Sequence, residues 1–143
     1  MERTRRPLVG HGQLVRTGHA VLDDVLPDGG LRRGTLLEWV NGEGPGSGAA
    51  TLALLAAGGM LRNESAVAGQ PGTLAVIDRD GGFYMAAAAA LGLSSEKVLV
   101  VRPGTTSEWL WTVEQVLRSA AVDVVLTWAG ALDDRVFRRW QLA

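Results

Sequence analysis

A glycine-rich stretch near the start of the chain constrains the fold more than any other feature. Residues 41–48, NGEGPGSG, hold four glycines and one proline and therefore predict a loop. Residues 35–40 favour a strand, and the alanines and leucines that follow from Ala49 favour a helix. In this order of strand, loop and helix, bare backbone N–H groups lie at a helix N-terminus, where anions bind. The stretch thus predicts the geometry of a phosphate cradle.

The same loop lacks the residues that phosphoryl transfer needs. The phosphate-binding pattern is Gly, four residues, Gly, Lys, then Ser or Thr. When Gly48 is set on the second glycine, Glu43 takes the position of the first. Ala49 then stands in the lysine position and Ala50 in that of the hydroxyl that would ligate Mg²⁺. Because this lysine and this metal ligand carry the chemistry, the sequence predicts a protein that is not an enzyme and needs no cofactor.

Two alternatives stay open for the loop. In one, it still holds phosphate, so that ATP and magnesium bind without the lysine and nearby hydroxyls substitute for the missing one. The residues that would line such a site are Gly44, Gly46, Ser47, Gly48 and Thr51. In the other, the stretch is a strand-to-helix turn that binds nothing.

Two further predicted strands end where catalytic groups sit in nucleotide hydrolases of this design. Residues 73–78, TLAVID, predict a buried strand, and Asp80 follows at its carboxyl end, where ligands bind in open α/β sheets. Asp80 is the one candidate for an acid/base or water-orienting residue, although a turn residue before Gly81 is the favoured interpretation. The strand predicted at 122–128 ends in Thr127 and Trp128, which cannot hold a metal as a carboxylate does. No metal site is predicted.

Strands and helices alternate along the chain. Strands are predicted at 35–40, 73–78, 97–101 and 122–128. Helices are predicted at 21–26, 51–61, 83–91, from residue 105 onward and at 133–143, with a polar loop at 63–72. This alternation predicts an α/β fold with a mainly parallel sheet flanked by helices. Residues 1–16 are predicted to be a flexible basic arm, and residues 17–143 a single domain.

The last two predicted helices carry the candidate contact residues. Thr105 and Glu108 have the spacing of a capping box, which would open the first of these helices. Trp111 lies on its polar side, where it is either a partner anchor or is covered by another segment. The arginines on the polar side of the last helix either contact DNA phosphates or form a solvated basic face. They are Arg135, Arg138 and Arg139.

Composition excludes several classes of protein. The net charge of −1 gives no overall attraction to nucleic acid, so such binding would have to be local. The chain has no cysteine, which excludes disulfides and thiolate metal sites. It has no apolar run as long as the roughly 18 residues of a membrane span, and no export signal. We therefore expect a cytoplasmic protein without membrane contact.

From Thr17 onward the chain resembles the RecA-like recombinase core. The segments that carry the resemblance keep the family's order: TG at 17–18, LD at 22–23, GGL at 29–31, TLAL at 51–54, ID at 77–78, ALG at 90–92, LVVRP at 99–103 and RSAAVDVV at 118–125. The resemblance implies a RecA-like P-loop fold, in which Asp80 would hold the acidic position that activates water. It also implies RecA-like subunits among the partners.

Within that superfamily the chain is most similar to the ImuA family of accessory proteins. The cues are the glycine loop without lysine, VVRP at 100–103, LTW at 126–128 and RRWQLA at 138–143. The resemblance implies a non-catalytic role in SOS-induced DNA repair and error-prone translesion DNA synthesis. The implied partners are an ImuB-like Y-family protein and an error-prone C-family polymerase.

The chain departs from the family pattern near its end. In RecA-like cores another strand follows the one that ends near Trp128, and the loops that contact DNA come later still. The sequence stops at Ala143, before both, so the expected sheet has about four strands and lacks the C-terminal part of the family core. The resemblance accordingly gives little support to DNA contact. An ATP-binding recombinase relative that binds DNA, and an inactive structural remnant or truncated product, remain the alternatives.

Overall fold

The computed structural model of the protein describes residues 12–42, 48–68, 72–119, 121–130 and 132–143. Strands β1 (Leu14–Val15) and β2 (Leu31–Arg32) form a short antiparallel hairpin, and helix α1 (Ala20–Val25) lies in the connection between them. The main body alternates helices and strands. Its elements are α2 (Ala49–Ala68), β3 (Leu74–Ile77), α3 (Met85–Ala90), β4 (Val98–Val101), α4 (Thr106–Arg118), β5 (Val124–Thr127) and α5 (Asp134–Gln141). Single 3₁₀ turns lie at Pro27–Gly29 and Ser95–Lys97.

The central sheet is parallel, with the strand order β4-β3-β5. Leu74 pairs with Val98 and Val124 at one end of the register, and at the other end Ile77 pairs with Val101 and Thr127. All residues of β3 are fully buried, because a central parallel strand is covered by helices on both faces. This explains why its sequence, LAVI, is apolar without alternation.

Each face of the sheet carries its own apolar cluster. Helices α2 and α3 cover the first face, and α4 and α5 cover the second. The buried members of the first cluster are Leu54, Ala57, Leu61, Leu74, Val76, Phe83, Ala88 and Leu93. Those of the second are Ala75, Ile77, Trp109, Val113 and Trp140. In the second, the indole of Trp140 meets that of Trp109 edge-on, with ring centroids 5.4 Å apart.

The N-terminal hairpin is held by a buried carboxylate. Asp23 Oδ1 accepts hydrogen bonds from the backbone N–H and the hydroxyl of Thr17, both at 2.8 Å. These bonds, the backbone one foremost, hold the pKa of Asp23 below its ordinary value, although burial opposes the shift. The backbone of Thr17 lies directly against Gly59 of α2, where a Cβ atom would overlap the Thr17 carbonyl. The hairpin is therefore docked on the main body through a glycine.

Most of the predicted architecture is confirmed. The parallel sheet flanked by helices is present, and the strands predicted at 73–78, 97–101 and 122–128 correspond to β3, β4 and β5. The predicted capping box is also present: Glu108 N–H donates to Thr105 Oγ1 at 3.2 Å, and the Glu108 carboxylate accepts from Thr105 N–H at 3.2 Å. Among the described residues, no helix is both long and apolar enough to cross a bilayer.

The prediction of a strand at 35–40 is wrong. In the described part of the chain the central sheet therefore has three strands, where about four were expected. Residues 35–42 have no regular structure. Leu36 packs against the second cluster, whereas Leu37 and Val40 are exposed. A strand requires a neighbour that supplies backbone hydrogen bonds, and in the described part of the chain none runs beside this segment. Favourable β propensity cannot replace that neighbour.

Two other boundaries also differ from the prediction. The loop predicted at 63–72 is helical as far as Ala68, because α2 continues through the polar residues NES at 63–65. The segment predicted as a flexible arm includes β1, in which Val15 is buried, so for residues 14 and 15 that prediction is corrected. The arginines of the arm, Arg3, Arg5 and Arg6, lie outside the described residues.

Candidate functional site

The carboxyl end of β3 is organised by a buried aspartate. Asp78 is 2% exposed and accepts hydrogen bonds from Gly82 N–H at 2.9 Å and Phe83 N–H at 3.1 Å. Arg102, at the end of β4, donates from Nε to Asp78 Oδ2 at 3.4 Å. The carboxylate thus closes the loop that follows the strand and joins two strand ends. The oxygens of Asp78 therefore have a structural role.

Asp80, the candidate catalytic acid, is exposed on that loop and paired with a cation. Arg79 Nε lies 3.0 Å from Asp80 Oδ1. The hydrogen bond and the charge of Asp80 raise the pKa of Arg79 above the usual arginine value. The Arg79 guanidinium also lies 5.3 Å from the Trp109 ring centroid, within cation–π range. The structure therefore places Asp80 in an ion pair on the surface, as expected of a polar turn residue.

The end of β5 is occupied by a hydroxyl that has two internal partners. Thr127 Oγ1 donates to the Ile77 carbonyl at 2.8 Å and accepts from Trp109 Nε1 at 2.8 Å. The next residue, Trp128, packs against Phe83 with ring centroids 6.3 Å apart. The position at which a hydrolase of this design presents a metal-binding carboxylate thus carries a hydroxyl that links β3, β5 and α4.

The glycine loop is described only at its helical end. Gly48 has a φ of +82°, in the left-handed region that favours glycine, and its carbonyl accepts from Leu52 N–H at 2.9 Å. Helix α2 begins at Ala49, and Thr51 is exposed in its first turn. Ala49 and Ala50 supply neither a cation nor a hydroxyl there. The other three candidates, Gly44, Gly46 and Ser47, and the carboxylate of Glu43 lie outside the described residues.

The candidate contact residues lie on the outer surface of α4 and α5. Trp111 is 63% exposed, which agrees with its predicted position on the polar side of α4. Arg135, Arg138 and Arg139 are exposed on α5, and Arg139 Nε lies 3.7 Å from Glu114 Oε2 of α4. The structure thus brings these residues onto neighbouring helices. It does not bring them to the strand-end groups, which are tied into the sheet.

The residues that sequence analysis missed at the strand ends are Asp78, Arg79 and Arg102. Asp78 ends the predicted strand at 73–78, at the edge where site residues lie in open α/β sheets, and this signal could have identified it. Nothing in the sequence identified Arg102 as its partner, because that contact joins two strands. Among the described residues, no group of three or more His, Asp or Glu side chains could hold a metal ion.

A parallel sheet with helices on both faces, whose strand ends meet at one edge, defines the α/β class of proteins. A model of the RecA N-terminal domain family matches residues 9–133. The chain therefore belongs to the RecA N-terminal domain family, as the resemblance of its motifs implied.

Individual relatives agree with this assignment. The chain is 34% identical to Protein RecA of Desulforapulum autotrophicum over 79% of its own length and 30% of that protein. It is 35% identical to Protein RecA of Chlorobaculum tepidum over 82% of its length, and 34% identical to that of Deinococcus radiodurans over 80%. The match covers about 30% of each of these relatives. Helix α5 begins at Asp134, just beyond the range matched by the family model.

Proposed function

We propose that this chain is a non-catalytic, RecA-like accessory protein of DNA repair that acts by binding other proteins. In the finer form of the proposal it is ImuA-like and serves SOS-induced, error-prone translesion DNA synthesis. Its partners would then be an ImuB-like Y-family protein and an error-prone C-family polymerase, and RecA-like subunits are a further class. We place it in the cytoplasm.

The absence of catalysis is supported by the two positions that phosphoryl transfer depends on. Alanines occupy the lysine and hydroxyl positions at the start of α2. At the end of β5, both hydrogen-bonding functions of the Thr127 hydroxyl have protein partners. Asp80, the remaining acidic group, is paired with Arg79. Together these positions support a protein without phosphoryl-transfer chemistry.

Protein binding is supported by β4, one of the two edge strands of the described sheet, and this observation carries the proposal. β4 pairs with β3 on one side, and on its other side no strand lies in the described part of the chain. Its sequence is VLVV, and Leu99 is 51% exposed. An uncharged edge strand with an exposed apolar side chain suits the addition of a strand from a partner. We assign this edge to RecA-like or polymerase-side partners.

The test is a pull-down of the purified ImuB-like protein, and separately of RecA, with wild-type chain and Leu99→Asp. We expect at least one partner to be retained by the wild type, with a loss of about tenfold or more in Leu99→Asp, since a charge on the edge opposes strand addition. Leu52→Asp is the matched control, because Leu52 is an exposed leucine of α2 on the other face. If neither partner is retained, or if both variants lose binding equally, the proposal is wrong.

An ATP-binding recombinase relative is the second candidate function. It is favoured by Gly48, whose left-handed backbone opens the N-terminus of a long helix where phosphate binds. A thermal melt with millimolar Mg-ATP separates the two candidates. A ligand present at a hundred times its Kd stabilises the folded state by about 2.7 kcal/mol. We expect no shift and no ATP turnover; turnover that is abolished by Gly48→Val would establish the second candidate instead.

A further inference from the structure

The exposed indole of Trp111 lies on the side of α4 that also carries Arg118. Helix α4 buries Trp109 and Val113 against the sheet and therefore presents Trp111 on its opposite side. Arg118 follows two turns later on the same side of α4. Large exposed apolar rings are costly to hydrate, and Trp and Arg are the residues most enriched among those that dominate binding energy at interfaces. This side of α4 is thus a candidate contact surface.

A half-buried carboxylate connects the basic residues of the two helices. Glu114 Oε1 accepts from Arg118 Nη2 at 2.7 Å, and Glu114 Oε2 lies 3.7 Å from Arg139 Nε of α5. The side chain of Glu114 is only 16% exposed, and its carboxylate pairs with the two more exposed guanidiniums of Arg118 and Arg139. Arg135 lies one turn before Arg139 on α5, and Arg138 is its neighbour. We name the set of Trp111, Arg118, Arg135, Arg138 and Arg139 the α4–α5 surface.

The charges around this surface favour discrete carboxylates over a polyanion. The four arginines are accompanied by Glu108 and Glu114 of α4, Asp134 of α5 and its N-cap Asp133, so the net charge of this region is close to zero. A nucleic acid would bring one phosphate per nucleotide against these carboxylates as well. A protein segment can place single Asp or Glu side chains on individual arginines, whose planar guanidiniums form bidentate pairs with carboxylates. An apolar side chain of the same segment would cover the indole.

The α4–α5 surface exists because α5 packs beside α4. Trp140 of α5 is buried against Trp109 of α4. The family match ends at residue 133, before α5 begins. The surface is therefore composed of one helix from the matched region and one from outside it. The class of ligand that this surface binds is therefore argued from its arginines and its exposed indole.

We propose that the α4–α5 surface binds a short acidic segment of a partner protein. An apolar side chain of that segment lies on the indole of Trp111, and its carboxylates pair with Arg118, Arg135 and Arg138. The inference rests on the proposed adaptor function and adds to it a second contact, separate from the β4 edge. A protein with two such surfaces can hold two partners at once.

The experiment measures binding of a fluorescein-labelled synthetic peptide, in which single glutamates are separated by leucines and serines, by fluorescence anisotropy with the full chain. A peptide with glutamine in place of glutamate is the matched ligand. We expect saturable binding of the glutamate peptide only, weakened about tenfold by Trp111→Ala. In the double variant Arg135→Ala/Arg138→Ala, we expect both weaker binding and a smaller dependence on salt concentration.

Two exposed residues elsewhere supply matched controls. Tyr84, at the start of α3, is 70% exposed, and Arg32 of β2 is an exposed arginine in an ion pair. Tyr84→Ala and Arg32→Ala should leave peptide affinity unchanged. Thermal melts establish that each variant is folded, and Trp111→Phe, which retains an aromatic ring, should recover most of the affinity. Leu99→Asp should also bind the peptide normally, whatever the outcome of the pull-down.

Several outcomes would overturn the inference. These are no saturable binding of the glutamate peptide, equal binding of the glutamine peptide, and equal losses in Trp111→Ala and Tyr84→Ala. Displacement of the peptide by single-stranded oligodeoxythymidine at lower concentration than by unlabelled peptide would identify a nucleic-acid surface instead. Because the peptide assay does not involve the β4 edge, failure here leaves the adaptor proposal standing, and failure of the pull-down leaves this result interpretable.

Discussion

The two sides of the central sheet each depend on a contact of an opposite kind. On the side of the first face, leucines and Phe83 fill the cluster, but α2 meets the N-terminal hairpin through Gly59, which touches the backbone of Thr17. On the second face, Trp109 and Trp140 fill the space between the sheet, α4 and α5. Protein interiors are close-packed, so each solution fixes the size that its residues must have. Enlarging Gly59 on the first side, or truncating a tryptophan on the second, should therefore destabilise the folded protein.

The two faces also differ in how far the family match covers them. The Gly59–Thr17 contact, the sheet and α4 lie within residues 9–133, the range matched by the family model. Helix α5, which completes the second face, begins just beyond that range. Only the second face therefore includes a helix from outside the matched range. The second supports the α4–α5 surface, on which the further inference rests, so the stability of α5 and binding at that surface should change together.

The strongest way to break the second face is Trp140→Ala. Removing a buried tryptophan leaves a cavity between α5 and the sheet, and we expect a loss of about 3–5 kcal/mol in the free energy of unfolding. Urea denaturation followed by circular dichroism measures it. Trp111→Ala on the exposed side of α4 is the control and should change stability by less than about 0.5 kcal/mol. Equal effects of the two substitutions would mean that α5 is not packed on Trp109.

On the first face the test is the opposite kind of change, Gly59→Ala. Alanine favours helices over glycine by about 1 kcal/mol, but its Cβ would overlap the Thr17 carbonyl, a backbone group that cannot move cheaply. We expect a net loss of about 1–3 kcal/mol, in the range of overpacked cores. Urea denaturation again supplies the measurement.

Gly58→Ala is the matched control for that substitution. A Cβ at Gly58 would lie 3.3 Å from Nη1 of Arg62, the far end of a flexible side chain that can shift. Gly58→Ala should therefore be neutral or stabilising by up to about 1 kcal/mol. If Gly59→Ala were also neutral, the docking of the hairpin on α2 would not be as close as the structure places it.

Thr127→Val tests the hydroxyl that links β5 to β3 and to α4. The change conserves shape but leaves the Trp109 indole N–H and the Ile77 carbonyl without the Thr127 hydroxyl. A buried polar group left without a partner costs about 1–3 kcal/mol. Thr51→Val, at an exposed position of α2, is the control. A negligible loss of stability in Thr127→Val would argue that the hydroxyl is free to serve a ligand, which would weaken the proposal of a non-catalytic role.

Local patterns in the sequence predicted the parts of the fold that local interactions determine. The run TLAVID is apolar without interruption because β3 is buried on both faces, and it was predicted correctly. The capping box of α4 depends on Thr105 and Glu108 alone, so its spacing was sufficient. The exposure of Trp111 followed from helical periodicity.

The features that were missed depend on contacts between distant segments. Residues 35–40 have the composition of a strand, but whether they form one depends on a neighbour that the local sequence does not specify. The sequence does not show why two glycines, Gly58 and Gly59, lie within α2. The close approach of Thr17 requires the second of them. At the strand ends, the pairing of Asp78 with Arg102 joins residues 24 positions apart.

The smallest expected effect concerns the hairpin that packs on α2, and its dependence on pH is confined to acid. Because the hydrogen bonds from Thr17 lower the pKa of Asp23 in the folded protein, its ionised form is favoured by folding. The resulting stability is fully present above the unfolded-state pKa, about 3.9, and is lost as pH falls through the lower folded-state value. Asp23→Asn removes the charge at every pH. The difference in Tm between wild type and Asp23→Asn should therefore be constant near neutrality and shrink below about pH 4.

Thermal melts between neutral pH and pH 3 would measure this difference, with Asp24→Asn as the control, since Asp24 is exposed on the same helix. A difference that grew as pH fell would show that the Asp23 carboxylate is destabilising when ionised, contrary to its two short hydrogen bonds. The Tm difference at neutral pH can also be used to test whether Asp23 and Gly59 stabilise the fold together. If Asp23→Asn and Gly59→Ala are made together and their effects do not add, the carboxylate and the glycine stabilise one joint between hairpin and helix. Additive effects would instead mean that the hairpin holds its own shape and that α2 contacts it independently.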